Sequence, residues 1–336
     1  MAATEAWGNI DMRRVHWAFF VAVLVACPIK ASAQGQAAVE ARSEQAGELR
    51  AILSDHAVMR MDPASIEAEV MKSGELALML RGDPFHFRME PRDLRSPRYH
   101  AESTGPDGVR RPLPLGEVLT YRGLATVGQE DIQGRFTIAG DTFEGVVFAP
   151  GDYIFIESLK NFVPAAGGDE WVVYRQSDIR PGQGWRCGVS HRLHEGKDRL
   201  EVHAVGTDRT TTYTVEVATE ADYEYVQHWG SAASSNREIL AVLNQVEGVY
   251  EQELKLKLAI VYQHAWSVKD DPYTGTDGPA LLEQFTEYWN DEFYYSKGYD
   301  LAHLWTARET LKDEDGEEIN LGGIAWLGTV CQIGFG

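Results

Sequence analysis

Near Thr212 the hydrophobic pattern changes its period, and that change constrains the fold more than any other feature of the chain. Upstream, from Ile66 to about Val205, the apolar runs are short and often alternate. Leu76-Ala77-Leu78-Met79-Leu80 and Phe85-His86-Phe87-Arg88-Met89 flank a Gly82-Asp83-Pro84 turn signal, and similar runs include Arg135-Phe136-Thr137-Ile138, Gly145-Val146-Val147-Phe148, Tyr153-Ile154-Phe155-Ile156 and Trp171-Val172-Val173-Tyr174. Such runs, broken by Gly, Pro and Asp, predict an antiparallel β-rich domain. Ahead of them, Leu49, Ile52 and Leu53 share one face in a helical pattern from Ala37 to about Val58.

Downstream the order becomes strand, helix, strand, helix, strand. Tyr213-Thr214-Val215-Glu216-Val217 reads as a strand, and Leu256 to Val261 as the next. Between them, Asn236 to Leu254 predicts a helix with Ile239, Leu240, Leu243, Val246 and Tyr250 inward. Ser235 and Glu238 have the spacing of a capping box at its start. A second helix is expected from Pro279 to Phe293, with Leu282, Phe285 and Trp289 on one face. Leu301 to Thr306 and Ile324 to Leu327 complete the strands, with a turn at Asp313-Glu314-Asp315-Gly316. This alternation predicts a mostly parallel sheet with helices packed on it.

The N-terminus reads as an export signal. Arg13 and Arg14 precede the apolar run Trp17–Ala26, and Ala31-Ser32-Ala33 is a small-x-small cleavage site. The run falls short of the roughly 20 residues that span a bilayer. A rival reading makes Cys27 the acylated residue of a lipoprotein box. The expected location is therefore secreted or periplasmic, with no transmembrane segment. Acidic residues outnumber Lys and Arg by 51 to 31, for a formal charge of −20, which argues against nucleic acid or an anionic membrane as partner. Of the three cysteines, Cys187 and Cys331 remain after cleavage, and either a bond between them or a separate task for each fits an oxidising compartment.

Several stretches carry a resemblance. In the second half these are Val215-Glu216-Val217, Val249-Tyr250, Trp266, Asp271-Pro272-Tyr273, Asp300-Leu301-Ala302-His303-Leu304 and Gly323-Ile324-Ala325-Trp326-Leu327-Gly328-Thr329-Val330-Cys331. In the first they are Met89-Glu90-Pro91-Arg92-Asp93-Leu94, Tyr121-Arg122-Gly123 and Tyr153-Ile154-Phe155-Ile156-Glu157. The second half resembles the N-terminal part of a reprolysin or adamalysin-type metzincin catalytic domain, and the first half looks like that family's propeptide. The resemblance implies an α+β chain. Residues 1–33 are the signal, 34–190 a propeptide-like β-rich antiparallel domain, 191–212 a linker and 213–336 an incomplete metzincin-like α/β catalytic domain with two long helices. It also implies a zinc endopeptidase zymogen acting on protein or peptide substrates, with its own propeptide as inhibitor.

One departure is decisive. The family's H-E-x-x-H-x-x-G-x-x-H zinc motif does not occur. His194-Glu195 is the sole His-Glu pair, followed by Lys197 and Asp198 where a ligand is needed, and His191 and His194 read as ordinary surface histidines. In the family the zinc helix lies beyond the Cys331 strand, so the chain reads as stopping before it, with no catalytic residue and no peptidase activity of its own.

The resemblance assigns other residues. Arg186-Cys187-Gly188-Val189 is similar to a cysteine switch, in which a propeptide thiolate takes the fourth zinc position; the plainer reading is a loop cysteine. Gly323, Ile324, Ala325 and Trp326 correspond to the edge strand on which an extended substrate pairs. Cys331 would pair with a cysteine further along. Glu216 and Asp300 match two carboxylates of a structural calcium site, and the plainer reading of Glu216 is a strand glutamate facing solvent. His303 reads as a core or cleft histidine. Two other functions stay open: a secreted binding or inhibitory protein that keeps the propeptide fold without catalysis, and a β-rich envelope module that Cys27 acylation would favour.

Overall fold

The computed structural model describes residues 36–39, 43–180, 186–187, 211–293, 298–308, 311–312, 318–319 and 321–326. Where periodicity predicts one helix from Ala37 to Val58, the chain forms strand β1 (Gln36–Val39), helix α1 (Ser43–Ile52) and strand β2 (Ala57–Met61). A further helix, α2 (Pro63–Ser73), stands where the strand series was expected to begin. Its cause is local. Asp62 caps it by accepting from Ser65 N, Pro63 suits the first turn, and Gly74 ends it in the left-handed region at φ 71°.

Strands β3 (Glu75–Leu80), β4 (Asp83–Pro91), β5 (Arg95–Thr104), β6 (Arg110–Pro112) and β7 (Thr120–Val127) follow. After them come β8 (Glu130–Ala139), β9 (Thr142–Ala149), β10 (Asp152–Ser158) and β11 (Glu170–Arg175). Among the described residues nine of these strands form one antiparallel sheet, ordered β1-β2-β11-β10-β9-β8-β7-β4-β3. Its inner core holds Phe87, Phe136, Phe143 and Trp171, with Ile66 and Val70 of α2 packed among them. The Trp171 indole donates to the Phe143 carbonyl at 2.6 Å, so the burial of its one polar group is compensated.

β5 and β6 do not belong to that sheet. The remaining elements are β12 (Arg186–Cys187), β13 (Tyr213–Ala221), α3 (Tyr223–Trp229), α4 (Ala232–Leu254) and β14 (Leu256–Trp266). Then come α5 (Gly278–Glu292), β15 (Leu301–Trp305), β16 (Leu311–Lys312), β17 (Glu318–Ile319) and β18 (Leu321–Gly323). The second sheet runs β15-β13-β14-β5-β6, with β15, β13, β14 and β5 parallel and β6 antiparallel. The sheets therefore do not divide at residues 190–212, because Arg95–Pro112 lies with the C-terminal strands.

Helix α4 is shared by both sheets. Ile239 and Leu243 pack with Val217, Leu258 and Ile260 of the second sheet. Asn244, Glu247 and Gly248 are also buried, and the Asn244 amide donates to the Phe136 carbonyl of β8 at 3.1 Å. Tyr250, expected inward, is exposed, since the second buried face is the polar one. The helix also begins a turn earlier than expected. Ser231 caps it by accepting from Ser234 N at 3.1 Å, which leaves Ser235 and Glu238 inside the helix and no capping box between them. On the opposite face of the second sheet, Leu281, Phe285 and Trp289 of α5 meet Val261, Tyr262 and Ala302. The layers run α2, nine-stranded sheet, α4, five-stranded sheet, α5.

Candidate functional site

Cys187 and Gly323, assigned separate roles on sequence grounds, are neighbours on one ladder. β12 pairs with β18 in parallel, Arg186 opposite Leu321 and Cys187 opposite Gly323, with an irregularity between them. Of the four residues expected to form the substrate strand, only Gly323 is in it. The strand lies earlier, at Leu321–Gly323, and Ile324, Ala325 and Trp326 have no regular structure. Trp326 is anchored instead through its indole, which donates to Thr286 Oγ1 of α5 at 2.9 Å. β16 and β17 pair antiparallel on either side of the expected acidic turn.

Glu216 and Asp300 are brought together by the pairing of β13 with β15. Asp300 N donates to the Glu216 carbonyl at 2.8 Å, and Glu216 N to Asp300 Oδ2 at 2.8 Å. The Glu216 carboxylate faces a cation already, the Arg98 guanidinium, 2.6 Å away. A calcium ion would have to displace that guanidinium, so these two residues do not present a ready oxygen site. Sequence reading missed Arg98, because nothing local links it to a strand so far downstream.

A second unforeseen cluster sits at the ends of β13 and β14. Glu220, wholly buried, accepts from the indoles of Trp266 and Trp289 and from the Tyr273 hydroxyl. His264 Nδ1 lies 3.4 Å from the same carboxylate, and His264 Nε2 lies 2.8 Å from Thr104 Oγ1. Burial, then the Glu220 charge, pushes the Tyr273 phenol well up. Nearby Asp222, the cap of α3, is pushed up to about 7 by burial. The signal was polar residues on a strand buried on both faces. With no solvent access and its donors supplied by aromatic side chains, this cluster holds β13, β14 and α5 together rather than meeting a substrate.

A cavity of about 300 Å³ opens between Leu94–Tyr99, Leu113–Thr120 and the first turns of α4, and none of the expected site residues lines it. His303 is exposed and sits 5.0 Å from the Trp305 ring. Cys27, His191, His194, Cys331 and the signal segment lie outside the described residues, as does nearly all of the 191–212 linker. Among the described residues no group of three or more His, Cys, Asp or Glu could hold a metal, and no helix is long and apolar enough to cross a membrane. The zinc motif is also missing from the sequence, and the described residues do not fit a zinc site.

Residues 236–336, less than half of the chain, match the model of the metallo-peptidase family M12B, reprolysin-like. No curated protein matches. Among solved structures, metalloproteinase-II from Bacteroides fragilis is similar at 11% identity, over 77% of this chain and 67% of that one, with a TM-score of 0.28. So loose an overlap fixes neither fold nor function.

Proposed function

We propose that this chain, whose residues 236–336 are reprolysin-like, belongs to an exported, latent metalloendopeptidase precursor, with the β-rich N-terminal half as its propeptide. The observation that supports this is the ladder between Cys187 and Gly323. An extended substrate binds an open strand edge through main-chain hydrogen bonds. A propeptide strand seated on that edge takes the substrate's place, so β12 is both the latch and the competitor. The part we assign to these residues is latency and substrate positioning. Export rests on Arg13, Arg14, the apolar run after them and the Ala31-Ser32-Ala33 site.

Reading the coding frame past Gly336, and expressing whatever it encodes, tests the proposal. The expected result is a zinc motif soon after Gly336 and casein cleavage that appears once the chain is cut between the halves and β12 leaves β18. Cys187→Ala should then cleave casein without that cut. A frame with no zinc motif, and no cleavage by any processed form, would overturn the proposal in favour of a non-catalytic binding protein.

A further inference from the structure

β13, β14 and β15 follow one another in sequence, but the strand that covers the outer side of β14 comes from far upstream. Without β5, β14 would be an edge eleven residues long, with its main-chain groups unpaired. It would be an awkward edge, because Val261–Trp266 is buried throughout and carries polar groups at depth. β5 supplies their partners. The Tyr262 hydroxyl donates to Glu102 at 2.7 Å, the Tyr99 hydroxyl donates to Gln263 at 2.8 Å, and Thr104 meets His264 at 2.8 Å.

Backbone bonds close both ends of the same seam. Ile260 N donates to the Leu94 carbonyl at 2.8 Å, and Ser267 N to the Thr104 carbonyl at 3.0 Å. Leu94 lies in the core that α4 and β14 share. From β6, Arg110 donates to the Tyr288 hydroxyl at 2.7 Å and stands 4.6 Å over the Phe293 ring.

We propose that Leu94–Pro112 is a donor strand belonging to the folding unit of the C-terminal sheet, although the N-terminal half carries it. The β14 edge is then an acceptor surface for this one segment, chosen by hydroxyls that meet Gln263 and His264 and a carboxylate that meets Tyr262. The C-terminal region is not a separable domain beginning at residue 213, and the two halves stay together through this ladder if the chain is cut between them. This inference does not depend on the catalytic reading.

Native-state hydrogen exchange on the whole chain tests it. Tyr99→Phe with Thr104→Val removes two hydroxyl contacts and nearly keeps side-chain volume. Exchange should then rise about tenfold in residues 213–221 and 256–266 and stay unchanged in 130–175, because cooperative units open together. If the pair does not fold, each single substitution reads the same contrast with a smaller rise. Unchanged exchange in 256–266, or an equal rise in 130–175, would overturn the assignment.

Discussion

Arg135 of β8 and Glu247 of α4 form an ion pair almost without solvent access, their nearest charged atoms 3.7 Å apart. Glu247 also receives Arg92 Nε at 3.0 Å and Leu258 N at 3.2 Å, so one carboxylate ties both sheets to the helix between them. Burial holds Arg135 below the usual guanidinium range, the mark of a charge whose lost hydration is only partly replaced. Removing Glu247 leaves Arg135 only its pair with Glu251 and leaves Arg92 without its buried carboxylate partner. Glu247→Ala should therefore cost about 3–5 kcal/mol in urea unfolding. A loss under about 1 kcal/mol, the range of exposed pairs, would show that water reaches the site.

Gly248 sits on the same face of α4. A Cβ there would come within 2.5 Å of the Phe148 ring and 2.6 Å of the Arg135 side chain. In an open helix, Gly→Ala gains up to about 1 kcal/mol. Here overpacking at about 1–3 kcal/mol outweighs that gain, so Gly248→Ala should lower the urea midpoint. A raised midpoint would mean the helix stands further from the sheet.

Glu144 of β9 and Glu238 of α4 give the interface a pH dependence. Burial first, and then neighbouring carboxylates including Glu157, pushes Glu144 up to about 8 and Glu238 up to about 7. An acid whose folded pKa lies above its unfolded value gives stability that is complete below the unfolded pKa. That stability is lost as pH rises through the folded pKa. Asp222 adds in the same sense. Between about pH 5 and about pH 8.5 the chain should lose on the order of 2–4 kcal/mol, read as a falling urea midpoint. Glu144→Gln with Glu238→Gln should flatten that fall.

Much of the layer order was legible from period alone. Short apolar or alternating runs marked β3, β4 and β8 to β11, and the 3.6-residue stripe of Ile239, Leu243 and Val246 marked α4. α2 was missed although Asp62, Pro63 and Gly74 spelled its caps, because the alternating runs around it dominated the window. α4 misled in another way. Its polar face looked solvated, yet Asn244 and Glu247 are buried there by hydrogen bonds and ion pairs with the other sheet. β5 was not legible at all. Arg95-Ser96-Pro97-Arg98-Tyr99-His100-Ala101-Glu102-Ser103-Thr104 reads as a polar connection, and only its distant partners on β14 make it a strand. At the candidate site, short motifs named Cys187 and Gly323, but their pairing is non-local and no spacing encodes it.

The strand carrying Cys187 lies on the strand carrying Gly323. A disulfide trap tests it most directly, because a bond forms only where backbones approach to about 4.4–6.8 Å between Cα atoms. With Cys331→Ser to remove the competing thiol, Gly323→Cys should crosslink to Cys187 under mild oxidation. Mass spectrometry would then find the two peptides joined. If both thiols stay free and alkylatable under the same oxidant, β12 does not lie on β18 and the latch reading fails.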